Sequence, residues 1–228
     1  MEENRRLAKD RQLFHGAMGA GLSHEINNVF AIIGELTGLL EDLSKAAADR
    51  LVAPEKLDSV LARVGAQIER GRDLVRLLNQ FSHSTEVLEQ SLTVSDVLGH
   101  MVALSGRLAR LRKVTILTDG ERVEDRIHGD LFNLQHIIFR CIEIGLLISA
   151  MNTTLKATIS SVQGGIRVSV INETSGNETS GNGSPEIREK IATAVTIAER
   201  LGGELTVGTQ NHLEIELFLP NALRPLVR

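Results

Sequence analysis

Aromatic residues are scarce in this chain: among 228 residues there is no Trp and no Tyr, and only six Phe. Bases of a single-stranded nucleic acid would find no stacking platform here. A formal charge of −4 likewise denies the basic face on which nucleic-acid binding depends. The single cysteine, Cys141, lies in the apolar run Ile137–Ile142. It has no partner for an intrachain disulfide and reads as a small buried hydrophobe. Uninterrupted apolar stretches of about 18 residues are missing, so no membrane span is expected. The charged opening Met1-Glu2-Glu3-Asn4-Arg5-Arg6 leads into no apolar secretory segment. Asn-x-Thr triplets at Asn152, Asn172 and Asn177 are then coincidences, and a cytoplasmic protein is the expectation.

Proline is also rare, and none occurs before Pro54. Over that stretch Leu22, Ile26, Val29, Ile33, Leu36, Leu40 and Leu43 recur in steps of three and four, one apolar stripe of a helix. A helix of roughly 40 residues would be about 60 Å long, which suits a bundle or coiled coil. Pro54 reads as the first-turn proline of a second helix over 54–87, with Leu57, Val60, Leu61, Val64, Ile68, Val75, Leu78 and Phe81 apolar. The short connection around Ala46–Ala53 predicts an antiparallel hairpin. Two helices alone make a thin core, and pairing two hairpins gives a four-helix bundle, so a homodimer is expected.

Beyond residue 90 the pattern changes. Helices are expected at Val97–Arg112, Leu131–Met151 and Pro185–Leu201, the last stopped by Gly202-Gly203. Strands are expected at Val114–Leu117, Leu155–Val162, Gly165–Asn172, Glu204–Thr209 and His212–Leu219, with a hairpin turn at Gly164-Gly165. A tandem repeat, Asn172-Glu173-Thr174-Ser175-Gly176 then Asn177-Glu178-Thr179-Ser180-Gly181, has the composition of a flexible loop. The fold class is therefore α+β: a helical hairpin in 1–88, then an α/β sandwich in 89–228.

His24 falls about 160° from the centre of the apolar stripe and should face solvent. Asn28, Ala31 and Glu35 share that outer face, and small residues such as Gly21 and Ala31 would let another protein approach closely. An imidazole, with an ordinary pKa of about 6.5, is largely neutral at pH 7 and can serve as a nucleophile or covalent carrier. Glu25 could orient or deprotonate the ring, and Asn28 could hold a water or a phosphoryl oxygen. Histidines exposed on helices are also common without any role. His24-Glu25-Ile26-Asn27-Asn28 begins like the zinc motif H-E-x-x-H, but Asn28 stands in place of the second histidine, so no metal site is expected. His128 reads as a loop residue, and His83 and His100 as residues near helix ends. Arg70 and Arg72 are solvated or face an acidic partner.

Ser23-His24-Glu25-Ile26-Asn27-Asn28 closely resembles the phosphoacceptor box of sensor histidine kinases, on the first of two long helices as in that family. Gly129-Asp130-Leu131 and the segment Ala192–Gly203 resemble the entry and the closing helix of its ATP-binding domain. The departures are as informative. Ile144 stands where the family has its Mg²⁺-ligating asparagine, and Arg140 where a second asparagine is usual; an aliphatic side chain offers no oxygen to a hard cation. Asn172-Glu173-Thr174-Ser175-Gly176 lacks the adenine-binding aspartate, and Arg188-Glu189-Lys190 lacks the glycines that would approach phosphates. The resemblance thus implies an ATP-independent histidine phosphotransferase with a degenerate ATPase-like domain and no cofactor of its own. It would exchange a phosphoryl group between His24 and an aspartate of a response-regulator receiver. The receiver would bring the Mg²⁺ and dock on Gly21, Asn27, Ala31 and Glu35, with His24, Glu25 and Asn28 doing the chemistry. His24-Glu25-x-x-Asn28 also resembles the E-x-x-N pattern of receiver phosphatases. A pseudokinase that only binds a receiver, and a kinase with an unusual nucleotide site, complete the alternatives.

Overall fold

The computed structural model describes residues 2–46, 54–84, 86, 89–119, 126–172, 184–208 and 213–225. Five helices, α1 (Glu2–Ala46), α2 (Pro54–His83), α3 (Val94–Arg112), α4 (Leu131–Ile148) and α5 (Pro185–Arg200), accompany seven strands. The strands are β1 (Gln90–Thr93), β2 (Thr115–Asp119), β3 (Arg126–Gly129), β4 (Thr154–Val162), β5 (Gly165–Asn172), β6 (Glu204–Gly208) and β7 (Leu213–Pro220). The chain is α+β, as its patterning predicts. It divides into two compact units, one of Gly16–Ser82 and one joining Met1–His15 to His83–Arg228. Sequence patterning alone places residues 1–88 in a single helical domain, whereas the compact units part between His15 and Gly16. The difference arises because the first four turns of α1 pack on α4 and α5.

The unit of Gly16–Ser82 is a two-helix hairpin. Arg70 on α2 reaches Glu25 on α1, and a Cβ on Gly71 would sit 3.3 Å from Val29 Cγ1. Only residues 47–53 separate the two helices. At roughly 3.5 Å per residue that connection cannot span what a parallel pairing with these contacts would require, so the helices run antiparallel. Leu22, Val29 and Leu36 of α1 and Val60 of α2 are buried. The connection itself, and the tandem repeat after Asn172, lie outside the described residues.

In the other unit α3, α4 and α5 lie against a five-stranded sheet of order β2-β4-β5-β7-β6, in which only β2–β4 is parallel. The β4–β5 hairpin turns at Gly164, whose φ of +86° suits glycine. Asp130 caps α4 by accepting from Asn133 N at 3.2 Å, and Ser184 caps α5 by accepting from Ile187 N at 3.2 Å with Pro185 in the first turn. Leu134, Ile137, Ile138, Ile142, Ile144, Leu146 and Ile148 of α4 are fully buried, along with Leu155, Val170, Ile215 and Leu217 of the sheet. By length and composition α4 could cross a bilayer, a property absent from the sequence reading; here its apolar side chains form the core of this unit. Cys141 is buried in that core, and burial pushes its thiol pKa up to about 12.

Two short strands escape the sequence reading. β1 pairs antiparallel with β3 as a separate two-stranded sheet, which places His128 on a strand, not in a loop. His128 continues the pairing through its backbone, donating to Asn221 O and accepting from Leu223 N, both at 2.8 Å. His100 lies in the body of α3 and not at its end, whereas His83 closes α2 and bonds Glu86 Oε1 at 2.9 Å.

Candidate functional site

The local geometry around His24 is set by the stripe beneath it. Leu22 and Val29 are buried, which turns the intervening His24 outward, and His24 is exposed. Among the described residues none hydrogen-bonds to its ring. Asn27, Asn28, Ala31 and Glu35 are exposed as well, and Gly21 is half-buried. His24, Asn28, Ala31 and Glu35 therefore share one open face of α1.

Glu25 is placed differently. Its carboxylate is largely buried, and Oε2 accepts from Arg70 Nη2 at 2.6 Å. This geometry ties α2 to α1 one residue after His24. Arg70, which the sequence reading left solvated or facing a partner, is thereby engaged within the chain. Arg72 stays exposed and pairs with Glu69 at 2.9 Å.

Opposite His24, the hairpin presents an apolar groove of about 550 Å³. Ile26, Phe30 and Ile33 of α1 and Ile68 and Val75 of α2 line it, with Arg72 and Arg76 among its polar residues. Phe30 is 65% exposed, large for an aromatic ring. On α2 the series Leu57, Leu61, Val64, Ile68, Gly71, Val75, Leu78 alternates steps of four and three, a heptad seam, and Leu57, Leu61, Ile68 and Val75 of it are exposed. Thus α1 and α2 carry one apolar side turned toward each other and a second one open.

At several positions that the resemblance aligns with a nucleotide site, the side chain is packed or paired within the chain. Ile144 is fully buried in the apolar core. Arg140 donates to Asp10 Oδ1 from Nη2 at 2.5 Å and to Asp10 Oδ2 from Nε at 3.2 Å, and its Nη1 bonds Glu143. Lys190 donates to Glu143 Oε1 at 2.8 Å. Asn172 is buried and donates to Ser149 Oγ at 2.9 Å and Thr153 Oγ1 at 3.1 Å. Residues 173–183, which include the rest of the aligned adenine segment, lie outside the described residues. Among the described residues no group of three His, Cys, Asp or Glu side chains is placed to hold a metal ion.

A buried cluster that the sequence motifs do not single out surrounds Arg140. His136 is fully buried on α4; its Nε2 and Asp10 Oδ2 are 2.8 Å apart, and its ring stacks on Phe14 with centroids 4.8 Å apart. Burial lowers the His136 pKa, against the opposing pull of Asp10. For Asp10 burial acts to raise the pKa, but the His136 hydrogen bond and the Arg140 charge prevail and hold it below the ordinary carboxylate value. A signal was available: Arg6, Asp10 and Phe14 on α1, and Phe132, His136 and Arg140 on α4, each repeat at four-residue spacing.

No protein-family model matches the sequence, and no curated protein does. Solved structures that it resembles include histidine kinases. The catalytic domain of histidine kinase ThkA shares 15% identity at a TM-score of 0.48, over 60% of this chain and 99% of that one. Acinetobacter baumannii histidine kinase AdeS shares 13% at 0.47, over 81% and 94%. Histidine kinase ThkA in complex with response regulator protein TrrA shares 19% at 0.45, over 96% and 65%.

Proposed function

We propose that this chain is an ATP-independent histidine phosphotransferase, acting in the cytoplasm as a homodimer and exchanging phosphoryl groups between His24 and a receiver aspartate. One observation carries the reading: His24 sits on an open face of α1 flanked by Asn28, Ala31 and Glu35, while the apolar groove lies on the opposite side. A second copy covering that groove completes a four-helix bundle and leaves the histidine accessible.

In the proposed step a ring nitrogen of His24 carrying a lone pair attacks phosphorus in line. The N–P bond forms as the P–O bond to the receiver aspartate breaks. The carboxylate leaves with the electron pair, and the other ring nitrogen keeps its proton. Such a transfer depends on positioning and charge neutralisation more than on covalent help from the protein. The receiver brings the Mg²⁺. Glu25, held by Arg70, fixes α1 against α2 beside the reacting ring. Asn28, one helical turn from His24, takes the role of a hydrogen-bond donor to the phosphoryl oxygens.

The test mixes the protein with a phosphorylated receiver and follows acid-labile label. Label on His24, lost in His24→Ala and not produced by ATP·Mg²⁺, supports a relay. Accelerated loss of receiver phosphate that survives His24→Ala and fails in Asn28→Ala replaces the relay with a phosphatase. Receiver binding without phosphoryl chemistry leaves a binding module. Labelling from ATP·Mg²⁺ makes the chain a kinase and overturns the reading of the second unit.

A further inference from the structure

We propose that residues 2–15 of α1 form a hinged strap, closing the α4–α5 face of the α/β unit and able to open while the rest of that unit stays folded. This inference does not depend on phosphotransfer at His24. It rests on how these residues are held and on the glycines that come directly after them.

The strap is held at three levels along one helix face. Phe14 is buried against Phe132, His136 and Phe139, with ring centroids 5.4, 4.8 and 5.1 Å away. One turn earlier Asp10 engages Arg140 and His136 together. A further turn back, Arg6 Nη2 donates to Thr193 Oγ1 at 3.2 Å and to Glu189 O at 3.4 Å, and pairs with the Glu189 carboxylate at 3.4 Å. The holding is graded from a dry aromatic end to an exposed polar end, beside an open cleft lined by Arg5, Lys9, Glu186 and Lys190. Arg140, Glu189 and Lys190 are also positions where the sequence departs from the nucleotide pattern of sensor histidine kinases. Here Arg140 and Glu189 bind the strap directly, and Lys190 braces Arg140 through Glu143.

Closure is not free of opposing terms. With Nε2–H of a neutral His136 donated to Asp10, Nδ1 is buried and has no partner among the described residues. Opening the strap hydrates that nitrogen and the Arg140–Asp10 pair, which makes separation less costly than for a purely apolar contact.

The hinge is the second, independent observation. Directly after His15 come Gly16, Gly19 and Gly21, three glycines in six residues of a helix interior. A Cβ at any of the three would meet nothing within 4 Å, so packing in this chain does not require glycine there. Glycine weakens a helix by lowering its propensity. The division between the two compact units falls at the same place, between His15 and Gly16.

Hydrogen exchange on the full chain separates the possibilities. Asp10→Ala is expected to raise exchange at least 10-fold over residues 2–15 with no change in β5 and β7. Gly16→Ala with Gly19→Ala is expected to act in the opposite direction and slow exchange over 16–21. Should Asp10→Ala not fold, Arg6→Ala trims only the exposed end and is expected to raise strap exchange by a smaller factor. Strap exchange within two-fold of the parent protein in the folded variant overturns the proposal. So does an equal rise in β5 and β7, which would make residues 2–15 an inseparable part of the core.

Discussion

Replacing Arg140 with methionine tests the buried charge cluster quantitatively. The side chain is 6% exposed, and its guanidinium serves Asp10 through two nitrogens and Glu143 through a third. Removing one partner of a buried ion pair ordinarily costs about 3–5 kcal/mol, because the remaining charge stays desolvated. Here Asp10 keeps His136 at 2.8 Å and Glu143 keeps Lys190 at 2.8 Å. Methionine also refills most of the volume, which brings the expected loss to about 2–3 kcal/mol at pH 7. The pH dependence carries the sharper content. The folded state depresses the Asp10 pKa, so this group contributes stability above its unfolded value and loses that contribution as pH falls through the folded one. Without the Arg140 charge the depression shrinks. The gap between parent and variant should therefore be full at pH 7 and narrow below about pH 4. Urea unfolding at fixed protein concentration, at pH 7 and at pH 3.5, reads both quantities. A loss under about 0.5 kcal/mol, or a gap of equal size at the two pH values, would refute the assignment of this cluster as a buried ion network.

Three further outcomes are expected. His136 has a folded pKa below its unfolded one, with Asp10 and Arg11 on α1 and Arg140 on α4 facing it, so its contribution is complete above about pH 6.5 and shrinks as pH falls below that. Unfolding measured between pH 8 and 5.5 should show this slope, and His136→Phe should remove that residue's part of it. Ile144→Asn places an amide in a dry core; a cost of about 2–4 kcal/mol and no gain of ATP binding by calorimetry are expected. Cys141, buried with its thiol pKa pushed to about 12, should resist alkylation at pH 8 in the native protein and react at once in denaturant.

Much of this architecture is readable from local signals. Pro54 and Pro185 open α2 and α5, and Gly164 marks the β4–β5 turn, because each fixes backbone geometry wherever it stands. The exposure of His24 follows from its phase against Leu22 and Val29. The features that stay hidden depend on partners far apart in sequence. Arg140 is visibly odd for its place, but its neighbour Asp10 lies 130 residues away. Glu25 reads as a companion of His24 until Arg70, on another helix, claims its carboxylate. β1 and β3 are too short for period-two alternation to register, and their pairing depends on each other and on the segment near Asn221.

The strand order has a consequence for how the α/β unit reaches its native state. β4 and β5 are joined by a tight turn, so their pairing closes a very small loop. The other edge of β5 pairs with β7, matching Val168 to Leu217, and the intervening chain includes α5 and β6. Loop closure on that scale costs about 2 kcal/mol more in chain entropy than the hairpin does. The hairpin therefore forms early, and for that interval β5 is an open edge displaying Val168 and Val170. Until β7 arrives, the same backbone groups that later hold the centre of the sheet can template pairing with another molecule. Pairing with β7 ends that exposure, so crowding or high expression is expected to lower the folding yield at that step.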